Sequence, residues 1–294
     1  MTDYNLYRGS IFHCIEDGGN VKPVYFPDGL MVVREGKIVE VGEYSELSVR
    51  FRSGDPIVHF KDSLIMPGFI DSHIHYPQYK VISSYGTSLL QWLNKYTFVE
   101  EQKFSDIDYA ARVAELFLDE LIRNGTTTAM TFCTSHKQSV DVFCSAAEKR
   151  NLRMIAGKVM MDRNAPEELC DDVESSYADS KSLIEKWHNK GRLSYAVTPR
   201  FAPTSTEGQL IQAAKLLKEY PNTKSAKGVL LQTHLNENSD EIAWVKELYP
   251  QSKNYFDVYD NLGLSGTNSV FGHCIHNSTD EYKRIAETNS KIAL

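Results

Sequence analysis

The sequence has little that would tie it to a membrane, a nucleic acid or a disulfide framework. Its apolar runs are short: Ser63 to Ile70 is interrupted by Pro67 and Gly68, well below the roughly 18 residues a membrane helix needs. No run of five or more Lys or Arg occurs, and 32 basic against 39 acidic residues leave a net charge of −7. A protein that grips a phosphate backbone carries a basic footprint instead, so neither nucleic acid nor a membrane is an expected partner. The opening Met1–Asn5 has neither a basic region nor an apolar core; it does not read as a secretory signal, and a cytoplasmic location is the expectation. The five cysteines, Cys14, Cys133, Cys144, Cys170 and Cys274, are odd in number, far apart and without a C-x-x-C pair. That pattern argues against disulfides and against a structural zinc site.

What is present is an ordinary globular composition, 41% hydrophobic and 24% charged over 294 residues. A single α/β barrel takes roughly 250 residues, so one barrel plus a small extra domain fits. Residues 1–66 read as a small β domain, an incomplete β-sandwich, with strands at Leu6–Ile15, Leu30–Val41 and Pro56–Phe60 punctuated by Gly18-Gly19 and Gly36. From residue 67 to 294, strand-length apolar runs alternate with amphipathic stretches, as in βα units around a parallel sheet. The expected strands are Leu64–His75, Thr126–Phe132, Arg153–Met161, Leu193–Phe201, Val229–Asn236 and Ser269–His276, with a seventh beginning at Lys291–Leu294. Between the first two, Ala110, Val113, Ala114, Phe117 and Leu121 form a helical stripe, with Ser105 as its expected cap and Asn124-Gly125 as its stop. Asp162–Ser180 reads as a loop leading into a helix.

His73-Ile74-His75 ends the first barrel strand, and strand alternation turns both imidazoles to one face. An isolated H-x-H is more often an incidental surface pair. His234 and His273, however, lie near the ends of two further apolar strands, and barrel strand ends are where catalytic groups gather. Converging imidazoles suit a catalytic metal with an open position. His13, His59 and His188 read as solvated or satisfied residues, His136 as a further candidate for the pocket, and His276 as structural or at its edge. Glu237, three residues after His234, fits a general acid/base and equally a surface carboxylate at a helix start. Arg200-Phe201 offer a planar cation and an aromatic face, and Gln78 a partner for a heterocycle edge.

Pro67-Gly68-Phe69-Ile70-Asp71-Ser72-His73-Ile74-His75 resembles the opening signature of the amidohydrolase superfamily, metal-dependent hydrolases on a distorted (β/α)8 barrel of the TIM type. Within it, His75–Tyr79, Gln91–Phe98, Gly125–Thr128, Pro199–Phe201 and Thr233–Glu237 resemble the guanine-deaminating branch. The resemblance covers nearly the whole chain and implies zinc-dependent hydrolysis of guanine to xanthine and ammonia, in purine catabolism, by a homodimer. It implies that His73, His75 and His234 ligate one zinc ion, with His273 at the metal or its water. Gln78, Arg200 and Phe201 would hold the purine, Arg200 at the oxygen on carbon 6, and Glu237 would shuttle protons. The zinc deaminases with H-x-E and P-C-x-x-C are excluded, because no P-C-x-x-C occurs. The superfamily draws a further Asp from its eighth strand, and this sequence stops at Leu294 inside the expected seventh. The expectation is therefore a barrel truncated near strand 7. Hydrolysis of another aminoheterocycle, or a non-catalytic truncated chain, are the alternatives.

Overall fold

The computed structural model describes residues 4–51 and 56–294; Met1–Asp3, at the start of the segment read for a signal, lie outside the described residues. Two compact units are present, Met1–Gly68 and Phe69–Leu294.

The first unit is a four-stranded sheet in the order β3-β2-β1-β4, formed by β1 (Asn5–Asp17), β2 (Asn20–Arg34), β3 (Lys37–Glu43) and β4 (Ile57–Ile65). The expected strand Leu30–Val41 is in fact two. Glu35 and Gly36 both take positive φ, 52° and 72°, which reverses the chain between β2 and β3. Leu6, Leu30, Val32 and Leu47 form its core.

The second unit is a parallel sheet of β5 (Phe69–His75), β6 (Thr126–Phe132), β7 (Arg153–Gly157), β8 (Val159–Met160), β9 (Ser194–Pro199), β10 (Leu230–Leu235), β11 (Ser269–His273) and β12 (Lys291–Ala293). The pairing path runs β12-β11-β10-β9-β7-β6-β5, with β8 beside β9. This is the wall of a distorted TIM-type barrel with helices between the strands. Parallel strands covered on both faces carry continuous apolar runs, and every residue of β9 is buried. Phe117, Phe143, Leu183, Trp187 and Leu210, all from intervening helices, belong to the same large core cluster as Tyr195 and Val197 of the sheet.

Three expected boundaries are corrected. The run Leu64–His75 is not one strand: residues through Ile65 pair with β1 in the small sheet, and β5 begins only after Pro67-Gly68. Arg153–Met161 breaks at Lys158 into β7 and β8. Helix Ile107–Arg123 is capped by Asp106, whose side chain accepts from the backbone N–H groups of Asp108 and Tyr109, while the hydroxyl of Ser105 donates to the Gln102 carbonyl instead. The acidic segment after Asp162 enters helix Val173–Trp187 through a capping box of Asp172 and Ser175. All five cysteines are free.

Candidate active site

The C-terminal ends of β5, β10 and β11 bring four imidazoles together. Ligand atoms of His73, His234 and His273 all lie within 4.8 Å of one another, and Nε2 of His75 is 3.1 Å from Nε2 of His234. Two ligands on a tetrahedral zinc ion, each at about 2.0–2.1 Å, stand about 3.3 Å apart, so this spacing fits a shared metal. Phe132, the last residue of β6, stacks on His75 at a ring-centroid distance of 4.4 Å and abuts His73 and His234. The cluster therefore has a rigid aromatic wall.

Backbone geometry reinforces this placement. His273 ends β11 at φ 69°, followed by Cys274 at φ 56° and preceded by Gly272. Left-handed conformations at non-glycine residues are costly and concentrate at functional sites. Gly272 is required by space: a Cβ there would lie 2.5 Å from Cε1 of His73.

Charge and protonation suit the same role. Burial, with His273 and Arg200 adding, drives His73 down to about 3. His75 and His234 are held well below the ordinary imidazole value, again chiefly by burial. Burial also lowers His273. Neutral imidazole is the form that binds a metal. For His234 the tautomer follows as well, since Nδ1 sits 2.7 Å from the Arg200 carbonyl and donates to it, leaving Nε2 with its lone pair toward the cluster.

These histidines open into a cavity of about 850 Å³ that is also lined by Gln78, Arg200, Phe201 and Glu237. His73, His75, Gln78, Arg200, Phe201, His234, Glu237 and His273 thus border one space, and the further candidate His136 does not. Gln78 lies in the turn Tyr76–Val81 directly after β5. Glu237 follows β10, after Asn236 at φ 51°, and its carboxylate is 3.4 Å from Nε2 of His273. Burial and the neighbouring Glu241 carboxylate push Glu237 up to about 7, the range in which a carboxyl can both take and give a proton. Trp92 and Leu89 border the cavity from the segment after residue 82. His136 is not among the lining residues; it precedes helix Lys137–Lys149. His276 donates its backbone N–H to Asn236 and faces a second space between helices.

Two supporting residues escape a reading of the sequence. Glu101 is buried with both carboxylate oxygens on Nη1 of Arg200, at 2.9 and 2.8 Å. The Tyr259 hydroxyl donates to the His234 carbonyl and accepts from Ala202 N–H, tying the ends of β9 and β10 together. Ninety-nine residues separate Glu101 from its partner, so no local pattern could signal the pair.

The chain belongs to the amidohydrolase family, whose model matches residues 64–294. It is 50% identical over 269 residues to the guanine deaminase of Escherichia coli (strain K12), covering 92% of this chain and 60% of that protein. Two crystal structures are similar. One, guanine deaminase from Bradyrhizobium japonicum, has a TM-score of 0.91 at 36% identity, over 98% of this chain and 62% of that one. The other, guanine deaminase from C. acetobutylicum with guanine bound in the active site, has a TM-score of 0.86 at 34% identity, over 98% and 67%. The chain thus spans about three fifths to two thirds of the length of these relatives. Members of the superfamily are metal-dependent, and the histidine group here can bind a metal.

Proposed function

We propose that this site performs the hydrolytic deamination of guanine to xanthine and ammonia. The observation that carries the reading is the meeting of the histidine cluster and Glu237 with Arg200, Phe201 and Gln78 on one cavity. The names of these relatives point the same way.

In this reading His73, His75 and His234 hold one zinc ion, with His273 beside them. Zinc supplies a water acidic enough to act as a nucleophile near neutral pH. Arg200 donates to the oxygen on carbon 6 of the purine, which separates guanine from adenine. Phe201 packs against the ring face, and Gln78 bonds to its edge. Glu237 stands beside His273, takes a proton from the attacking water, delivers it to ring nitrogen 3, and later assists the departing amine. A carboxyl held near 7 is suited to both directions of transfer. A homodimer is part of the same proposal and is checked by sedimentation equilibrium.

The test is to load the chain with zinc, confirm stoichiometry by metal analysis, and follow guanine, xanthine and ammonia together. Equal release of xanthine and ammonia, abolished by chelation and restored by zinc, is expected. Zinc-loaded protein that leaves guanine intact overturns the assignment for this chain.

A further inference from the structure

Arg200 and Glu101 form an ion pair whose side chains are 2% and 0% exposed. Glu101 ends the short helix Phe98–Glu101, a few residues beyond the cavity-lining Trp92 and Leu93. Both of its oxygens accept from the same nitrogen, Nη1. Among the described residues Nη2 and Nε of Arg200 therefore have no hydrogen-bond partner, and this residue borders the cavity. The guanidinium carbon also lies over the Phe98 ring, 5.3 Å from its centroid, within cation–π range.

An arginine with a free fork and an uncompensated charge favours carboxylates and phosphates, which it binds with two parallel bonds. Here one nitrogen is already taken and a buried carboxylate cancels the charge at close range, where water and salt screen little. What faces the cavity is a donor edge with almost no net charge. Such an edge matches the oxygen of an uncharged ring carbonyl and offers an anion no net attraction.

We propose that Glu101 sets the charge preference of the pocket, making Arg200 a reader of neutral oxopurines and turning away anionic ones. The inference rests on the reading of the site as one for an oxopurine. Glu101 does not line the cavity and acts through Arg200, as a positioning residue. The preference has a use in turnover, because xanthine ionises more readily than guanine: a pocket without net positive charge at Arg200 does not retain its own product as the anion.

The test uses two purines at one pH, hypoxanthine, which is neutral and carries oxygen on carbon 6, and urate, which is a monoanion at neutral pH. Their dissociation constants are measured by calorimetry for the wild-type chain, Glu101→Gln and Glu101→Asp. Any metal in the histidine cluster is common to all three proteins and cancels from the comparison. The preference for hypoxanthine over urate is expected to fall by on the order of tenfold or more in Glu101→Gln. Glu101→Asp, which keeps the charge but withdraws it from Nη1, should fall in between. A ratio unmoved in Glu101→Gln overturns the role of Glu101, and if that variant does not fold, an unmoved ratio in Glu101→Asp does so. Wild-type protein that binds neither hypoxanthine nor guanine defeats the oxopurine reading itself, and this inference with it.

Discussion

Nδ1 of His234 donates to the backbone carbonyl of Arg200 across 2.7 Å, so a residue of the cavity wall sets the tautomer of a residue in the histidine cluster. The side chain of Arg200 faces the cavity while its carbonyl orients the imidazole. One residue thus supplies both a side chain of the cavity wall and the carbonyl that orients a clustered imidazole.

With Nε2 of His234 directed at His75, removal of the β5 pair should empty the site. His73→Ala combined with His75→Ala is expected to abolish zinc binding at one equivalent, measured by elemental analysis after dialysis. Unchanged zinc in the double variant would move the metal elsewhere.

Glu237→Gln keeps the shape of the side chain but cannot cycle a proton. Turnover of guanine is expected to fall roughly 100- to 10,000-fold with zinc content unchanged. Near-normal ammonia release would return Glu237 to a helix-start role.

Gly272→Ala would place a methyl group 2.5 Å from the His73 ring, and the ring must swing aside. Zinc affinity is expected to drop about 10- to 100-fold, as when a group that supports a ligand is lost, while the circular dichroism spectrum stays native. Competition with a chromophoric chelator measures it.

Lys158, 1% exposed, pairs with Asp171 where β7 breaks into β8. Lys158→Met leaves the Asp171 carboxylate without its counter-charge, with only the Ser176 hydroxyl still donating to it at 3.4 Å, and should cost about 3–5 kcal/mol, most of it regained in Lys158→Met with Asp171→Leu. Burial already raises the Asp171 carboxyl while Lys158 opposes that rise. Without the ammonium it rises further, so the folded state binds a proton more tightly than the unfolded one, and stability falls as pH climbs through that folded value. The penalty should accordingly shrink on acidification, as urea melts at two pH values will show.

The cap of helix Ile107–Arg123 gives a local test. Asp106→Ala should destabilise the chain by about 1 kcal/mol, whereas Ser105→Ala, which removes only a bond to the Gln102 carbonyl, should change little.

Much of this architecture was legible because strand ends here coincide with chemistry that leaves a mark in sequence. Thr126–Phe132 is bounded by Gly125, at φ 81°, and its observed limits match the expected ones. His73, His75, His234 and His273 could be grouped because each closes an apolar run. The boundary near Pro67 was harder, since apolarity continues from Leu64 to Ile70 although the two sides serve different sheets. Likewise Ser105 and Asp106 are adjacent capping residues, and only backbone geometry selects between them. Glu101 and Tyr259 were illegible for a deeper reason: each acts on a residue that is distant in sequence, and burial, not pattern, gives the contact its importance.

His75 and His234 touch although they stand 159 positions apart in sequence, whereas β6, β7 and β9 pair in chain order. Closing so long a loop carries an entropic cost that shorter pairings avoid, and it is met only once the curved sheet exists. The cluster joins strand ends that lie far apart along the pairing path β12-β11-β10-β9-β7-β6-β5, so loosening at either end of the sheet should part the imidazoles. Helical content reports the bulk of the molecule and would survive such an opening. Metal-binding capacity would not, which makes it the more sensitive gauge of whether a preparation is intact.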